Sequence, residues 1–264
     1  MTALQDHQNE IRPANHDFTR ELACQNDPSP SLEAMYRASM TVLEAVTPSQ
    51  QVEAFRIRYQ VYCLDNAFEK AEESSDGLES DDFDDRSVQV LLRHDPTGTF
   101  IGTSRLILPA APDFAPSLPM LRVSGLDGAG SPHPFPLART AEVSRFSITR
   151  GGRRLVGEAA SGEHDRRLLV LHLPLGLIGG LIAAAEGHGM THFCAVMEPC
   201  LIRLLGRFGI HFTAHGNLVE HHGLRQPCWI EIAALLEQVG SERPDILPLL
   251  IRHSAAARVF PFDA

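Results

Sequence analysis

The sequence predicts an α+β fold, with one central, mostly antiparallel mixed sheet flanked by helices. Three observations predict it: helical periodicity comes first, two strands around a tight turn occupy the middle, and the C-terminal half alternates strand, helix, strand, helix, strand. Elements in that order pack in layers around a single sheet. At 264 residues and 44% hydrophobic content the chain can bury one such core. That core is expected as a single domain over residues 31–264, behind a mobile tail over residues 1–30.

Residues 31–64 carry helical spacing in two pieces divided at Pro48: Leu32, Met35, Met40 and Leu43, then Val52, Phe55, Ile57, Tyr59, Val61 and Tyr62. Arg58 and Tyr62 are four apart, so on a helix they share one face. Ser87–Arg93 and Thr99–Leu108 bracket Asp95-Pro96-Thr97-Gly98 and read as antiparallel strands joined by a tight turn. Residues 109–140 hold seven of the eighteen prolines and read as a long irregular excursion, a length that usually has a binding role. Thr140–Thr149 alternates as a strand, 150–165 is a Gly/Arg-rich loop, and 166–187 is an apolar helix. Thr191–Met197 then reads as a strand, Glu198–Phe208 as a helix ending near Gly209, Ile210–Ala214 as a strand, and Pro227–Ala233 as a last strand leading into a helix.

Composition narrows the function classes. The net charge of −10 disfavours nucleic acid as a partner. The charge is polarised: residues 65–86 hold ten acidic side chains, whereas 145–167 hold six arginines, a distribution that can steer an acidic protein or an anionic cofactor. Five cysteines without a C-x-x-C pair, and a polar start without a secretion signal, lead to the expectation of a cytoplasmic protein. Leu168–Ala185 is apolar enough to raise a membrane span, and Gly176-x-x-x-Gly180 allows close helix contact. His172 and Pro174 interrupt the run, so it is read as a buried helix and not a transmembrane segment. The thirteen histidines show no metal-ligand spacing, and no metal is expected. A G-x-S-x-G elbow, a P-loop and a Rossmann fingerprint are all absent.

Charged residues beside strand-like runs are the strongest functional signal, because unpaired charge near a core is expensive. They fall in the order Arg58, Glu79-Ser80-Asp81-Asp82-Phe83-Asp84, Arg105 and Glu142-Val143-Ser144-Arg145-Phe146. This order, over about Phe55 to Trp229, resembles the acyl-homoserine-lactone synthase superfamily, which has the GNAT-type acyltransferase fold. Arg58, Tyr62 and Phe68 fall where that family has an arginine and two aromatics; Glu79, Asp81, Phe83 and Asp84 match its acidic motif, Arg105 its strand arginine, and Glu142, Ser144, Arg145 and Phe146 its Glu/Arg strand. The lactone synthases commonly carry Phe and Trp where this chain has Tyr62 and Phe68, and the chain is longer at both ends. Val196-Met197-Glu198-Pro199 and Glu220–Pro227 are more similar to the acyltransferases associated with PEP-CTERM/exosortase systems and to N-acyl amino acid synthases.

The resemblance implies an N-acyltransferase that moves a fatty acyl group from a thioester to the amine of an amino acid or related small molecule, with lactone synthesis as the alternative product. In a regular strand Glu142 and Arg145 would point to opposite faces; the bulge that GNAT-type folds carry on their fourth strand would bring them together and turn backbone N–H groups toward an oxyanion. Glu142 is the candidate base, or a structural partner of Arg105 or Arg145, and Ser144 is the candidate proton relay. Asp81, Asp84, Arg105 and Arg145 are expected to form the cleft network, with Arg58 closing over the substrate. Acyl-chain length is expected to depend on Phe146, Phe193 and Met197. No tightly bound cofactor is expected. The donor is expected, mainly from the resemblance, to be an acyl carrier protein docking its acidic surface on Arg150, Arg153, Arg154, Arg166 and Arg167, or else acyl-CoA held by the pyrophosphate-type pattern Arg154-x-x-Gly157-x-Ala159. A non-catalytic module that binds an acyl metabolite or a carrier protein is the reading from another class.

Overall fold

Eight strands form one sheet in the order β1-β2-β3-β4-β5-β8-β6, with β7 paired to β8 off that path. A computed structural model describes residues 30–66, 76–110, 118–127, 133–221 and 223–252. The strands are β1 (Met40–Glu44), β2 (Ser87–His94), β3 (Thr99–Ile107), β4 (Thr140–Ile148), β5 (His192–Met197), β6 (Thr213–Ala214), β7 (Val219–Glu220) and β8 (Leu224–Glu231). The helices are α1 (Leu32–Ser39), α2 (Pro48–Tyr59), α3 (Pro119–Val123), α4 (Arg150–Ala159), α5 (Glu163–Gly187), α6 (Pro199–Gly206), α7 (Ile232–Glu242) and α8 (Leu247–Ile251). Every strand pair is antiparallel except β4 with β5. This is the α+β architecture with a mixed, mostly antiparallel sheet that the element order predicts. The expected tail, residues 1–30, lies outside the described residues except for Pro30.

Two segments depart from the sequence reading. Met40–Glu44 is a strand, not the end of the first helix, because the Met40, Thr41, Val42 and Leu43 backbone completes the edge of β2 in register with His94 through Leu91. The amphipathic spacing that suggested a helix serves equally for a strand with Met40 and Val42 buried on one face. Residues 150–159 are helical, not a loop: Thr149 caps α4 by accepting the Gly152 N–H, and Gly152 packs so closely on Ile101 that a Cβ there would lie 2.5 Å from the Ile101 Cβ. Three small additions, α3 within the 109–140 excursion, the β7 arm and α8, go beyond the sequence reading, and Ile210–Ala214 contributes only Thr213–Ala214 as strand.

Helix α5 runs across β1, β2, β3 and β4. It is long and apolar enough to cross a membrane by length and composition, but 78% of its most apolar window is buried inside the fold. Its glycines explain the closeness. At Gly180 a Cβ would meet Val42 and Val90 at 2.5 Å, and at Gly179 it would meet the Leu249 carbonyl oxygen at 2.6 Å. Neither the sheet nor the α8 backbone could approach a larger residue.

Gly179→Ala is therefore expected to lower stability by about 1–3 kcal/mol through overpacking against backbone, read as a lower midpoint of urea unfolding. An unchanged midpoint would contradict this packing.

Candidate active site

Three guanidiniums and three carboxylates form one cluster beneath the sheet face that carries α2. Arg58, on the last turn of α2, is 0% exposed. It donates to Glu79 Oε2 at 2.6 Å and, as a fork, to the two oxygens of Asp84 at 2.6 and 3.0 Å. Arg105, from β3, donates to Asp81, to Asp84 at 3.0 Å and to Ser144 Oγ at 3.0 Å. Arg145, from β4, spans both oxygens of Glu79 at 3.0–3.2 Å and reaches Asp81 at 3.2 Å. The acidic loop is itself tied down, since the Glu79 N–H donates to the Phe55 carbonyl and the Asp81 N–H to Asp84. Burial pushes the Glu79 and Asp84 carboxyls up, but the facing guanidiniums outweigh it and hold both below the ordinary range. The expectation that Arg58 closes over a substrate is corrected: its guanidinium is consumed in the cluster, underneath the cleft.

The bulge predicted on β4 is present. Thr103 pairs with Ser147 and Arg105 with Ser144, so Ser104 alone faces Arg145 and Phe146. Arg145 takes φ 52°, the left-handed region, and is the one non-glycine with positive φ among the described residues. Such a conformation costs of the order of 1–3 kcal/mol unless neighbours impose it; here Glu79, Asp81 and the Tyr62 ring, 5.1 Å from the guanidinium, hold the side chain in place. Tyr62 sits on a π-helical continuation of α2, Gln60–Asp65, which widens the turn toward β4. Phe68, expected beside it, lies outside the described residues.

Glu142 stands apart from the cluster. It is 4% exposed and accepts the Met120 N–H of α3 at 2.7 Å; the pairing expected with Arg105 or Arg145 does not form. Burial is the largest influence on it, opposed by the Met120 hydrogen bond and by the charges of Arg105 and Arg86, and it pushes the carboxyl up to about 7. Sequence gave no sign of Met120, because a backbone donor has no residue signature.

Strands β4 and β5 pair only through Thr140↔His192, Ala141↔Phe193 and Glu142↔Cys194, and then diverge. Two cavities meet at the opening, sharing Tyr62, Val143, Ser144, Arg145 and Val196. The first, about 300 Å³, is the more polar of the two and is lined by Asp81, Arg105, Arg122, Glu142, His221 and Arg225 among others. The second, about 130 Å³, is a slot walled by Phe146, Ile178, Leu181, Phe193, Met197, Leu205, Phe212 and Leu235. Phe146, Phe193 and Met197 all line it.

A third hollow, about 760 Å³, opens beside the slot and is lined by Arg153, Arg154, Arg166, Arg167 and the half-exposed Leu171. The basic rim is partly neutralised: Arg154 pairs with Glu158, Arg166 and Arg167 pair with Glu163, and Arg150 donates to the Asp65 carbonyl. The Arg153 guanidinium makes no hydrogen bond or ion pair among the described residues, its backbone N–H donating to the Thr149 carbonyl. The Arg154-x-x-Gly157-x-Ala159 pattern lies inside α4, not at its start, so those N–H groups do not form a pyrophosphate cradle. Sequence reasoning also missed Gln89, which donates to Asp84 at 2.8 Å; an amide inside the apolar run of β2 was the available signal.

Residues 57–158 match the family described as Acetyltransferase (GNAT) domain. With the bulged fourth strand and the opening beside it, this marks a GNAT-type domain in that part of the chain. The fold is similar to that of solved acyl-homoserine-lactone synthases. TofI, solved in a ternary complex with an inhibitor and MTA, is 23% identical over 78% of this chain and 98% of its own, with a TM-score of 0.55. BjaI, a CoA-dependent acyl-homoserine lactone synthase solved with SAM and isopentyl-CoA, is 18% identical over 79% and 89%, with a TM-score of 0.52. MesI, another CoA-dependent synthase of that kind, is 19% identical over 85% and 96%, with a TM-score of 0.50. Comparison with curated proteins gives no sequence match.

Arg58→Ala would leave Glu79 and Asp84 buried with too little positive charge, and is expected to cost about 3–5 kcal/mol in denaturant unfolding; a loss under about 1 kcal/mol, the value of a surface pair, would contradict the cluster. The two kinds of carboxylate act oppositely with pH. Glu79 and Asp84, depressed in the fold, contribute stability above their unfolded pKa values that is lost as pH falls through their folded ones. Glu142 ionises near 4.3 in an unfolded chain but near 7 when folded, so it makes stability fall as pH rises between those values. Glu142→Gln is expected to remove that fall, gaining on the order of 3 kcal/mol over wild type at about pH 8 relative to about pH 4. Parallel stability curves for the two proteins would count against the burial of this charge.

Proposed function

We propose that this chain transfers a fatty acyl group from an acyl carrier protein thioester to the amine of an amino acid or related small molecule. The observation that carries the reading is the meeting of a polar chamber and an apolar slot at the opening between β4 and β5. A thioester carbonyl placed there has its alkyl chain in the slot and its reacting face toward the chamber. Backbone groups of the bulged strand that have lost β5 as a partner are available to the carbonyl oxygen as it gains charge.

The acceptor nitrogen attacks the carbonyl carbon, forming the C–N bond, and collapse of the tetrahedral intermediate breaks the C–S bond. The amine must first be neutral, and an α-amino group has a reference pKa of about 7.7–8.0. Glu142, with a pKa pushed up to about 7, is matched to take that proton near neutrality. Ser144 accepts from Arg105, which leaves its hydroxyl hydrogen free for the departing thiolate. Arg105 and Arg145 position these groups and add positive charge around the developing oxyanion.

For the donor, the hollow beside the slot combines cationic side chains with Leu171, 52% exposed, a surface suited to an acidic helix of a carrier protein. The surface pairs that occupy Arg154, Arg166 and Arg167 are worth about 0–1 kcal/mol each and exchange readily for a partner's carboxylates. Loss of the pyrophosphate cradle weighs against CoA.

The reading is tested by thiol release with acyl-loaded carrier protein and with acyl-CoA against an amino-acid panel, the products identified by mass spectrometry. Carrier-protein thioester is expected to be the better donor by about tenfold or more in kcat/KM, and Arg153→Gln with Arg154→Gln, Arg166→Gln and Arg167→Gln to raise its KM with little change in kcat. Glu142→Gln should lower kcat by about 10²–10⁴. Equal turnover by that variant removes Glu142 as the base; absence of any N-acyl product from the wild type removes the transfer reaction and leaves a binding role.

A further inference from the structure

Two walls of the polar chamber come from distant parts of the chain. Pro119, Arg122 and Val123 line it from α3, and His221 and Arg225 line it from the arm that β7 forms with β8. Outside the chamber lining, a pair of half-buried imidazoles joins the excursion that carries α3 to the start of that arm: His133 Nδ1 and His215 Nε2 lie 3.4 Å apart. Phe135, itself buried, stacks on the His133 ring at 5.6 Å, stands edge-on to His215 at 5.4 Å and packs on Trp229 of β8 at 5.6 Å, so one aromatic wall holds both rings. The backbone beside His215 is fixed as well. The His215 N–H donates to the Pro227 carbonyl at 2.8 Å, and the Gly216 carbonyl accepts from the Gln226 amide at 3.1 Å. Leu126, which follows α3, lies against Gly216, 3.5 Å from where a Cβ would stand.

From this geometry we infer that His133 and His215 form a pH-sensitive latch, which holds the two walls of the chamber together while at most one ring is charged and releases them when both are. The inference concerns access to the chamber and does not depend on the acyl-transfer reading. A neutral imidazole has one ring N–H and one lone pair, so the two facing nitrogens share a single hydrogen. One added proton leaves an N–H facing a lone pair. A second sets two N–H groups and two like charges against each other. Among the described residues no carboxylate offsets that repulsion: His133 is the charged neighbour that acts on His215, and neither Arg122 nor Asp127 of the α3 segment acts on either ring. On the arm, Arg225 is paired with Glu198 and Glu220 accepts the Gly223 N–H, while Glu231 and Arg139 act on His192 instead. Burial lowers both imidazoles below the ordinary histidine value, and His133 lowers His215 further. The latch is therefore closed above about pH 6.5, and its contribution to stability is lost as pH falls through the lower folded values.

Two measurements test this, and neither needs a ligand. Urea midpoints are compared at about pH 8 and about pH 5 for wild type, His133→Gln, His215→Gln and the double variant. At the higher pH each single variant is expected to unfold at lower urea than wild type, and the two losses not to add. At the lower pH the order reverses, each single variant standing above wild type because one of the two charges has gone. Carboxylates titrate alike in all four proteins and cancel in the comparison. The same coupling between the two positions at both pH values overturns the latch. Its release is read by hydrogen exchange corrected for the intrinsic effect of pH: protection over residues 118–127 and 215–221 is expected to fall by about tenfold or more at the lower pH in wild type and to be held in His215→Gln. Equal losses in the two proteins overturn it as well. If the variants do not fold, the imidazole proton resonances of the wild type decide. His133 and His215 are expected to titrate in two separate steps below about pH 6.5, whereas two independent titrations at the ordinary value overturn the pairing.

Discussion

The structure depends on a closed ionic cluster in which Arg58, Arg105 and Arg145 face Glu79, Asp81 and Asp84. Burying that many charges is unfavourable unless each finds partners, and here the positive and negative charges balance. The cluster binds four pieces of chain that no local interaction would bring together: the end of α2, the acidic loop, β3 and β4. It also imposes the left-handed backbone at Arg145 that lets a bulge form. The shape of β4, and with it the cleft, follows from where these charges are satisfied.

Because the cluster is neutral and self-contained, groups outside it are left to act. Glu142 is one residue type with two neighbours' worth of difference: Glu79 beside two arginines is held ionised, whereas Glu142, in an apolar wall against α3 and β5, keeps its proton toward neutrality. The two glutamates are thus held in opposite protonation states toward neutrality by environment alone.

Much of this was legible in the sequence, and the failures have physical causes. The β2–β3 hairpin was readable because Asp95-Pro96-Thr97-Gly98 encodes its own turn, with Gly98 at φ 67°. The bulge was readable because Glu142 and Arg145 have a spacing that a flat strand cannot use. Strand β1 was not, since five residues with two buried positions satisfy either period and only the β2 edge decides between them. Helix α4 was hidden by its glycines and arginines, residues that by themselves read as a loop; packing of Gly152 on Ile101 fixes it. Arg58 was assigned to substrate because a charged residue on an apolar helix has two explanations, and choosing between them requires knowing where Glu79 and Asp84 lie. Roles that rest on backbone atoms, such as Met120 holding Glu142, have no trace in residue identity at all.

The brevity of the β4–β5 ladder has a mechanical consequence. Strands β1 to β4 form one antiparallel block and β5, β6, β7 and β8 another, and the sheet joins them through only three residue pairs. The cleft is thus a seam between two half-sheets. The apolar slot at the seam is walled from both halves, by Phe146 of β4 and by Phe193 and Met197 of β5. Any molecule that fills it acts as a mortar joint, adding cohesion in proportion to its occupancy, so the fold is most firmly assembled while the slot is filled.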